Sequence, residues 1–204
     1  MSRDKTESHK RIVKAAKREF LDYGYNDASL RRIAAKAGIQ VGGLYKHFAN
    51  KQEMFESLVS PAIKAFYDIY HEIEKEYFNE LPAADSGFEW EGKDETTRVM
   101  ELIYDHFDEF KLLILKSDGT RYEDFKHKIA KAEEDVTLRY LNKLKEAGCK
   151  VKDFDMMEFH LLTTSYVEAF FQPLIHDLDI EQAMHYALTL EEFYQPAWKS
   201  WLGI

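Results

Sequence analysis

Apolar residues recur at helical spacing along most of the chain, and no stretch alternates apolar and polar positions as a half-buried strand would. Ile12, Ala15, Ala16 and Phe20 form the inward stripe of a first helix over His9–Tyr23, with Gly24 as its stop. Ser29 can cap a second, whose Leu30, Ile33, Ala34 and Ala37 fall at i, i+3, i+4 and i+7 before Gly38. After the turn Gly38-Ile39-Gln40 the spacing returns in Val41, Leu44, Tyr45 and Phe48 and predicts a third helix over 41–48. Two helices joined by so short a glycine turn make a helix-turn-helix, whose second helix can enter the major groove of DNA.

Asn50 and Glu53 have the spacing of a capping box and open a long helix through Met54, Phe55, Leu58, Ile63 and Phe66 toward Tyr77, with a kink expected at Pro61. Asn79 to Thr97, with Pro82, Ser86-Gly87 and Gly92, reads as a loop. Helical spacing resumes from Val99 to the Asp118-Gly119 turn, with a break near Glu109. It continues over Tyr122–Ala147, Met156–His176 and Ile180–Leu202. The expectation is an all-α protein of about nine helices: a three-helix DNA-binding domain over 1–52 and a helical ligand-binding and dimerisation domain over 53–204.

Charge sharpens that division. The formal net charge is −9, unusual for a DNA binder. Residues 1–52, however, hold 12 Lys and Arg against 5 Asp and Glu, and the remaining 152 residues hold 16 against 32. A basic module can displace counterions from phosphates, while an acidic body is repelled by DNA. The longest stretches free of charged residues are nine long, as in Phe159 to Val167, too short to span a bilayer. The charged N-terminus has no signal-peptide core, so a cytoplasmic location without membrane association is expected. The single Cys149 allows neither an internal disulfide nor a multi-cysteine zinc site.

The pattern of Ile12, Ala16, Phe20, Gly24, Ser29, Ile33-Ala34, Gly38, Leu44-Tyr45-Lys46-His47-Phe48 and Lys51 resembles the DNA-binding domain of the TetR family of bacterial transcriptional repressors. The resemblance covers about a fifth of the chain, Ile12 to Met54. It implies a homodimeric repressor that binds double-stranded operator DNA and is released by a small-molecule effector. Where the family often has Ser-Lys-Gly-Thr, this chain has Gln40-Val41-Gly42-Gly43, a departure that bears on which bases are read.

Groove chemistry assigns roles within 40–51. Gln40 can pair with adenine or serve as a cap, Val41 can meet a thymine methyl, and Lys46 and Lys51 can meet phosphates. Gly42 and Gly43 each weaken a helix by roughly 1 kcal/mol relative to Ala, sensible where backbone approaches DNA closely. The resemblance adds Ser29, Tyr45 and His47 as DNA contacts, whereas spacing alone makes Tyr45 a core residue.

In the body, Phe159, Thr163, Tyr166 and Phe170 share one helix face and, with His160 and with Tyr104 and Phe107 from another helix, are candidates to line a ligand pocket. Ile180, Ala183, Ala187, Leu190, Tyr194, Ala197 and Trp201 alternate spacings of three and four, a seam suited to dimerisation. Eight histidines assemble no metal or catalytic motif, and no cofactor is expected. Two other readings remain open from sequence: a DNA-binding regulator controlled by a partner protein, and a helical enzyme or ligand-binding module.

Overall fold

The computed structural model describes residues 2–79 and 94–204. The loop expected over 79–97 therefore lies mostly outside the described residues; at its far end Glu95 already opens a helix. The described residues form ten helices and no strand. None of these helices is long and apolar enough to cross a membrane.

Packing divides the chain into two compact units, 1–64 with 106–124, and 65–105 with 125–204. The first unit contains α1 (Ser2–Asp27), α2 (Leu30–Ala37), α3 (Val41–Leu44), the beginning of α4 (Lys51–Asn79), and α6 (Phe107–Leu115). Its core is the intersection of the predicted stripes: Ile12, Ala16, Phe20, Ile33, Leu44 and Phe55 are buried. The Phe20 and Phe55 rings meet edge to face at 5.2 Å. Gly24 adopts φ 74° and ψ 170°, a conformation open to glycine but not to a residue with Cβ, and interrupts α1. The chain after that break is held by α6's end, where the Tyr25 N–H donates to the Lys116 carbonyl at 2.9 Å.

The second unit holds the remainder of α4, α5 (Glu95–Asp105), α7 (Phe125–Glu146), α8 (Met156–Phe170), α9 (Gln172–Ile175) and α10 (Ile180–Leu202). Tyr140, Leu141, Leu144 and Leu202 form one buried cluster, against which Trp198 and Trp201 pack. Met100, Ala183 and Ala187 form another.

Several boundaries differ from those expected. The break between α5 and α6 falls at His106 (φ −120°, ψ 36°) rather than near Glu109. The helix foreseen over Met156–His176 divides at Phe171, whose φ of −87° and ψ of 1° leave the helical well just before Pro173. Pro61 lies inside α4, which runs on to Asn79, two residues beyond the expected Tyr77. The 1–52 segment lies wholly within the first unit, but that unit also takes in residues 53–64 and the later segment 106–124. Lys17 of α1 donates to Glu109 of α6 at 2.5 Å, a contact between residues 92 apart that helical periodicity does not encode.

Candidate nucleic-acid interface and ligand cavity

The turn between α2 and α3 is built by Gly38. It sits in the left-handed region at φ 69° and ψ 37°, with its own N–H donating to Ala35 and the Ile39 N–H to Ala34, which closes α2. Ser29 caps the other end of α2, its hydroxyl oxygen accepting from the Arg32 N–H. This occupies the oxygen that the family resemblance offers to DNA; the hydroxyl proton is still available to donate.

Helix α2 is clamped to α1 by Glu19, whose partners helical spacing does not indicate. Its carboxylate is wholly covered and accepts from the Ser29 N–H at 3.0 Å, Arg32 Nε at 2.5 Å and Lys36 Nζ at 3.1 Å. Burial pushes this carboxyl up, but the Ser29 N–H and the Lys36 and Arg32 cations outweigh burial and hold it below the ordinary carboxylate value. A glutamate directly before Phe20 in the first helix's stripe was the available signal.

Helix α3 is shorter than the predicted 41–48. Regular helix stops at Leu44, and the N–H groups of Lys46 and His47 bond three residues back, to Gly43 and Leu44, so the segment tightens. The two glycines explain the weak helix. Gln40 precedes α3 without a side-chain capping bond, so of its two readings the cap is absent, and the side chain is exposed. Gly42 is exposed and Val41 and Gly43 are partly so. A Cβ on Gly42 would meet nothing within 4 Å, and one on Gly43 would make ordinary contact with Ile39 at 3.5 Å. Neither glycine is required by the fold.

Tyr45 is 55% exposed, so the core position that spacing assigned to it is corrected: the tightening after Leu44 rotates it outward. Lys46 is exposed and makes no ion pair among the described residues. His47 is half-buried beside His9, ring centroids 5.5 Å apart, and burial followed by the charges of His9, Lys5 and Lys46 lowers its pKa. Lys51 is engaged within the fold, donating to the Asn26 carbonyl at 3.0 Å with its ammonium 4.7 Å from the Tyr25 ring centroid. Desolvation lowers its pKa.

The second unit encloses a cavity of about 220 Å³. Four of the predicted pocket residues line it: Phe159, Thr163, Tyr166 and Phe170. Three do not, and are corrected. His160 turns to Glu134, with Nδ1 2.6 Å from the carboxylate. Tyr104 donates to the Leu178 carbonyl at 2.8 Å and packs on the Met100 cluster. Phe107 belongs to the first unit. Neighbouring positions on one helix point in different directions, and sequence does not say which helix supplies the opposite wall. That wall comes from α4, α7 and α10, through Tyr70, Glu133 and Trp198 among others. A signal for Glu133 existed: it occupies i+4 in the stripe Ile129, Glu133, Val136, Tyr140, where the other three are apolar or aromatic.

The predicted dimer seam is also corrected. Ala183, Ala187 and Leu190 are buried within the chain. Tyr194 packs on Tyr166 at 5.1 Å and Trp201 on Phe154 at 5.0 Å. Of the seam's large residues only Ile180 is exposed. A three-four spacing reports an apolar stripe but not its partner, and α5 and α8 use this one. Outside the seam, the exposed large apolar residues of α8 and α10 are Met156, Met157, Leu161 and Leu162, and Leu188 and Phe193.

A left-handed glycine turn presenting a short, glycine-rich helix, with α2 braced by a buried glutamate, places the chain among helix-turn-helix proteins. Residues 12–58 match the pattern of the TetR family of bacterial regulatory proteins. It is 29% identical over 80 residues to an HTH-type transcriptional regulator of Staphylococcus aureus, covering 39% of this chain and 43% of that protein. It is 38% identical over 56 residues to the HTH-type transcriptional repressor BepR of Brucella suis, covering 28% of this chain and 27% of BepR. The chain thus matches less than half the length of either relative. In overall fold it is similar to a TetR-like transcriptional regulator from Rhodococcus sp. RHA1, with a TM-score of 0.55 and 17% identity over 95% of this chain and 94% of the other.

Proposed function

We propose that this chain is a transcriptional repressor that binds a two-fold operator as a homodimer through residues 40–46 and is released by a small molecule held in the second unit. The observation that supports this best is one chain carrying two sites: an outward-facing Gln40, Gly42, Tyr45 and Lys46 after the glycine turn, and an aromatic cavity of about 220 Å³. Helix α4 connects them covalently. Lys51 stands at its start, and Phe66, Tyr70 and Tyr77 further along it line the cavity. A ligand that prefers one setting of α4 by about 1 to 3 kcal/mol changes operator affinity some 5- to 150-fold.

Operator fragments retained by the purified protein from fragmented genomic DNA supply the assay, read by filter binding over a salt series. Lys46→Ala is expected to weaken binding to every sequence and to lower the log-log salt slope by about one. An unchanged slope in the folded variant removes Lys46 from the phosphate contacts. Ser29, His47 and Lys51 hold internal partners, so alanine at those positions is expected to move thermal stability along with affinity.

Gly42 separates binding from folding more cleanly. Because a Cβ there meets nothing, Gly42→Ala is expected to stabilise the free protein by about 0.5 to 1 kcal/mol through helix propensity. The same methyl group would stand between backbone and DNA, and operator affinity is expected to fall. Equal or tighter binding by the stabilised variant would show that no close backbone approach occurs at Gly42.

A further inference from the structure

We propose, building on the ligand cavity assigned above, that its effector is an aromatic or otherwise apolar molecule bearing a basic nitrogen, which is recognised as a cation by the carboxyl group of Glu133.

The cavity wall is unusual in its charges. Among the described residues lining it are four glutamates, Glu74, Glu95, Glu133 and Glu191, and no lysine, arginine or histidine. Two of the four have protein partners. Glu74 accepts from Arg139 Nη2 at 2.5 Å and lies 3.3 Å from His71. Glu95 accepts from the Tyr77 hydroxyl. Glu133 has no hydrogen bond and no ion pair to any described residue, although it is partly buried on the cavity-facing stripe of α7. The wall facing it also contains the Tyr70 side chain, whose buried hydroxyl has no hydrogen-bond partner.

A buried carboxyl without a partner is costly, and a fold that needs only stability replaces it with an apolar side chain. The rest of the wall is aromatic, with Phe66, Tyr166, Phe170 and Trp198 contributing ring surface. Ring faces attract cations and stack on flat apolar groups, and one carboxylate among them supplies the matching charge. An anionic ligand would meet four glutamates and no lysine, arginine or histidine among the described lining residues.

The proton inventory gives the proposal a second handle. Burial, followed by the negative charge of Glu95, pushes Glu133 up to about 8, so the empty cavity holds it protonated at neutral pH. The other titratable groups facing the space are Glu95 on α5, Tyr70, Glu74 and Tyr77 on α4, Tyr140 on α7, Tyr166 on α8, and Glu191 and Tyr194 on α10. Burial also pushes Glu191 up, and Tyr166 is hydrogen-bonded to Thr96. When an ammonium ion enters, Glu133 gives its proton to water and the ion pair takes its place, one proton released per ligand. Affinity for a cation of fixed charge therefore rises as pH increases toward the free-state value, by about tenfold per pH unit, and levels off above it.

Three naphthalene probes of equal ring size test this by fluorescence titration: 1-naphthylmethyl-trimethylammonium, 1-naphthalenemethanol and 1-naphthoate. The expected order is ammonium tighter than alcohol by tenfold or more at pH 8, with naphthoate weakest. Ammonium affinity should climb between pH 6 and pH 8. Glu133→Gln should reduce the ammonium to the level of the alcohol and flatten its pH profile. Unchanged alcohol binding in that variant would show the cavity intact. If alcohol and ammonium bind alike, or naphthoate binds tightest, the charge assignment is overturned while the ligand-cavity reading stands. If none of the three binds, both are overturned.

Discussion

Replacing Leu188 and Phe193 together by glutamate is expected to convert a dimer into a monomer and to lower operator affinity about a hundredfold or more. Both side chains are more than half exposed on α10, at 52% and 73%. Met157 and Leu161 are similarly exposed on α8, which packs with α10 in the same unit. Large apolar side chains exposed on adjacent helices are candidates for a protein contact surface. A second copy of the chain suits it, because a single short α3 offers few base contacts and two are needed for a two-fold site. Charges introduced at exposed positions leave the monomer's core untouched, so the variant should retain its helical circular dichroism. Sedimentation at micromolar concentration reads the mass, and filter binding reads the affinity. Retention of the dimer mass in the folded double variant would place the interface elsewhere. Ala187→Glu is a poor substitute, since Ala187 is wholly buried and a charge there should unfold the second unit.

Glu19→Ala is expected to destabilise the first unit by about 2 kcal/mol and to loosen α2 before anything else. Removing one member of a buried ionic network costs about 3 to 5 kcal/mol where all partners are buried. Here Arg32 and Lys36 remain 44% and 42% exposed and can be rehydrated, which reduces the figure. The Ser29 N–H loses its acceptor in either case. Amide hydrogen exchange reads the effect directly, with faster exchange along Leu30–Ala37 than in α8. The pH dependence has a definite sign. The folded-state value of Glu19 lies below its ordinary value of 4.5, so its contribution is complete above that value and lost as pH falls through the lowered one. Wild-type protection of α2 should therefore decline in strong acid, whereas Glu19→Gln should start lower and lose less. Equal protection of α2 in wild type and Glu19→Ala at pH 7 would mean that the clamp contributes nothing to stability. Operator binding should weaken alongside, because α3 is positioned by α2 through the Gly38 turn.

The helix-turn-helix was legible because everything that makes it is local. A cap at Ser29, apolar residues three and four apart, and a left-handed glycine at 38 act within a few residues, and the backbone follows. The same holds for the opening of α4, where the Glu53 N–H donates to the Asn50 side chain at 2.8 Å as the capping-box spacing implied. The charge break near residue 52 is likewise a property of the chain.

What the tertiary structure alone decided are matters of partnership. The Ile180-to-Trp201 seam was correctly apolar, but only packing shows that Ala183 and Ala187 face Met100 within the chain, leaving Leu188 and Phe193 outside. Phe159, Thr163, Tyr166 and Phe170 were placed on one face by helical geometry, yet the wall opposite them comes from residues dozens of positions away. Glu19 and Glu133 look alike in sequence, each a glutamate on a mainly apolar stripe. Folding brings Arg32, Lys36 and the Ser29 N–H to the first and holds its charge, while it places the second on an aromatic cavity wall without a partner among the described residues. Periodicity specifies which side of a helix is buried; the chemistry of a buried charge depends on what the rest of the chain delivers to it.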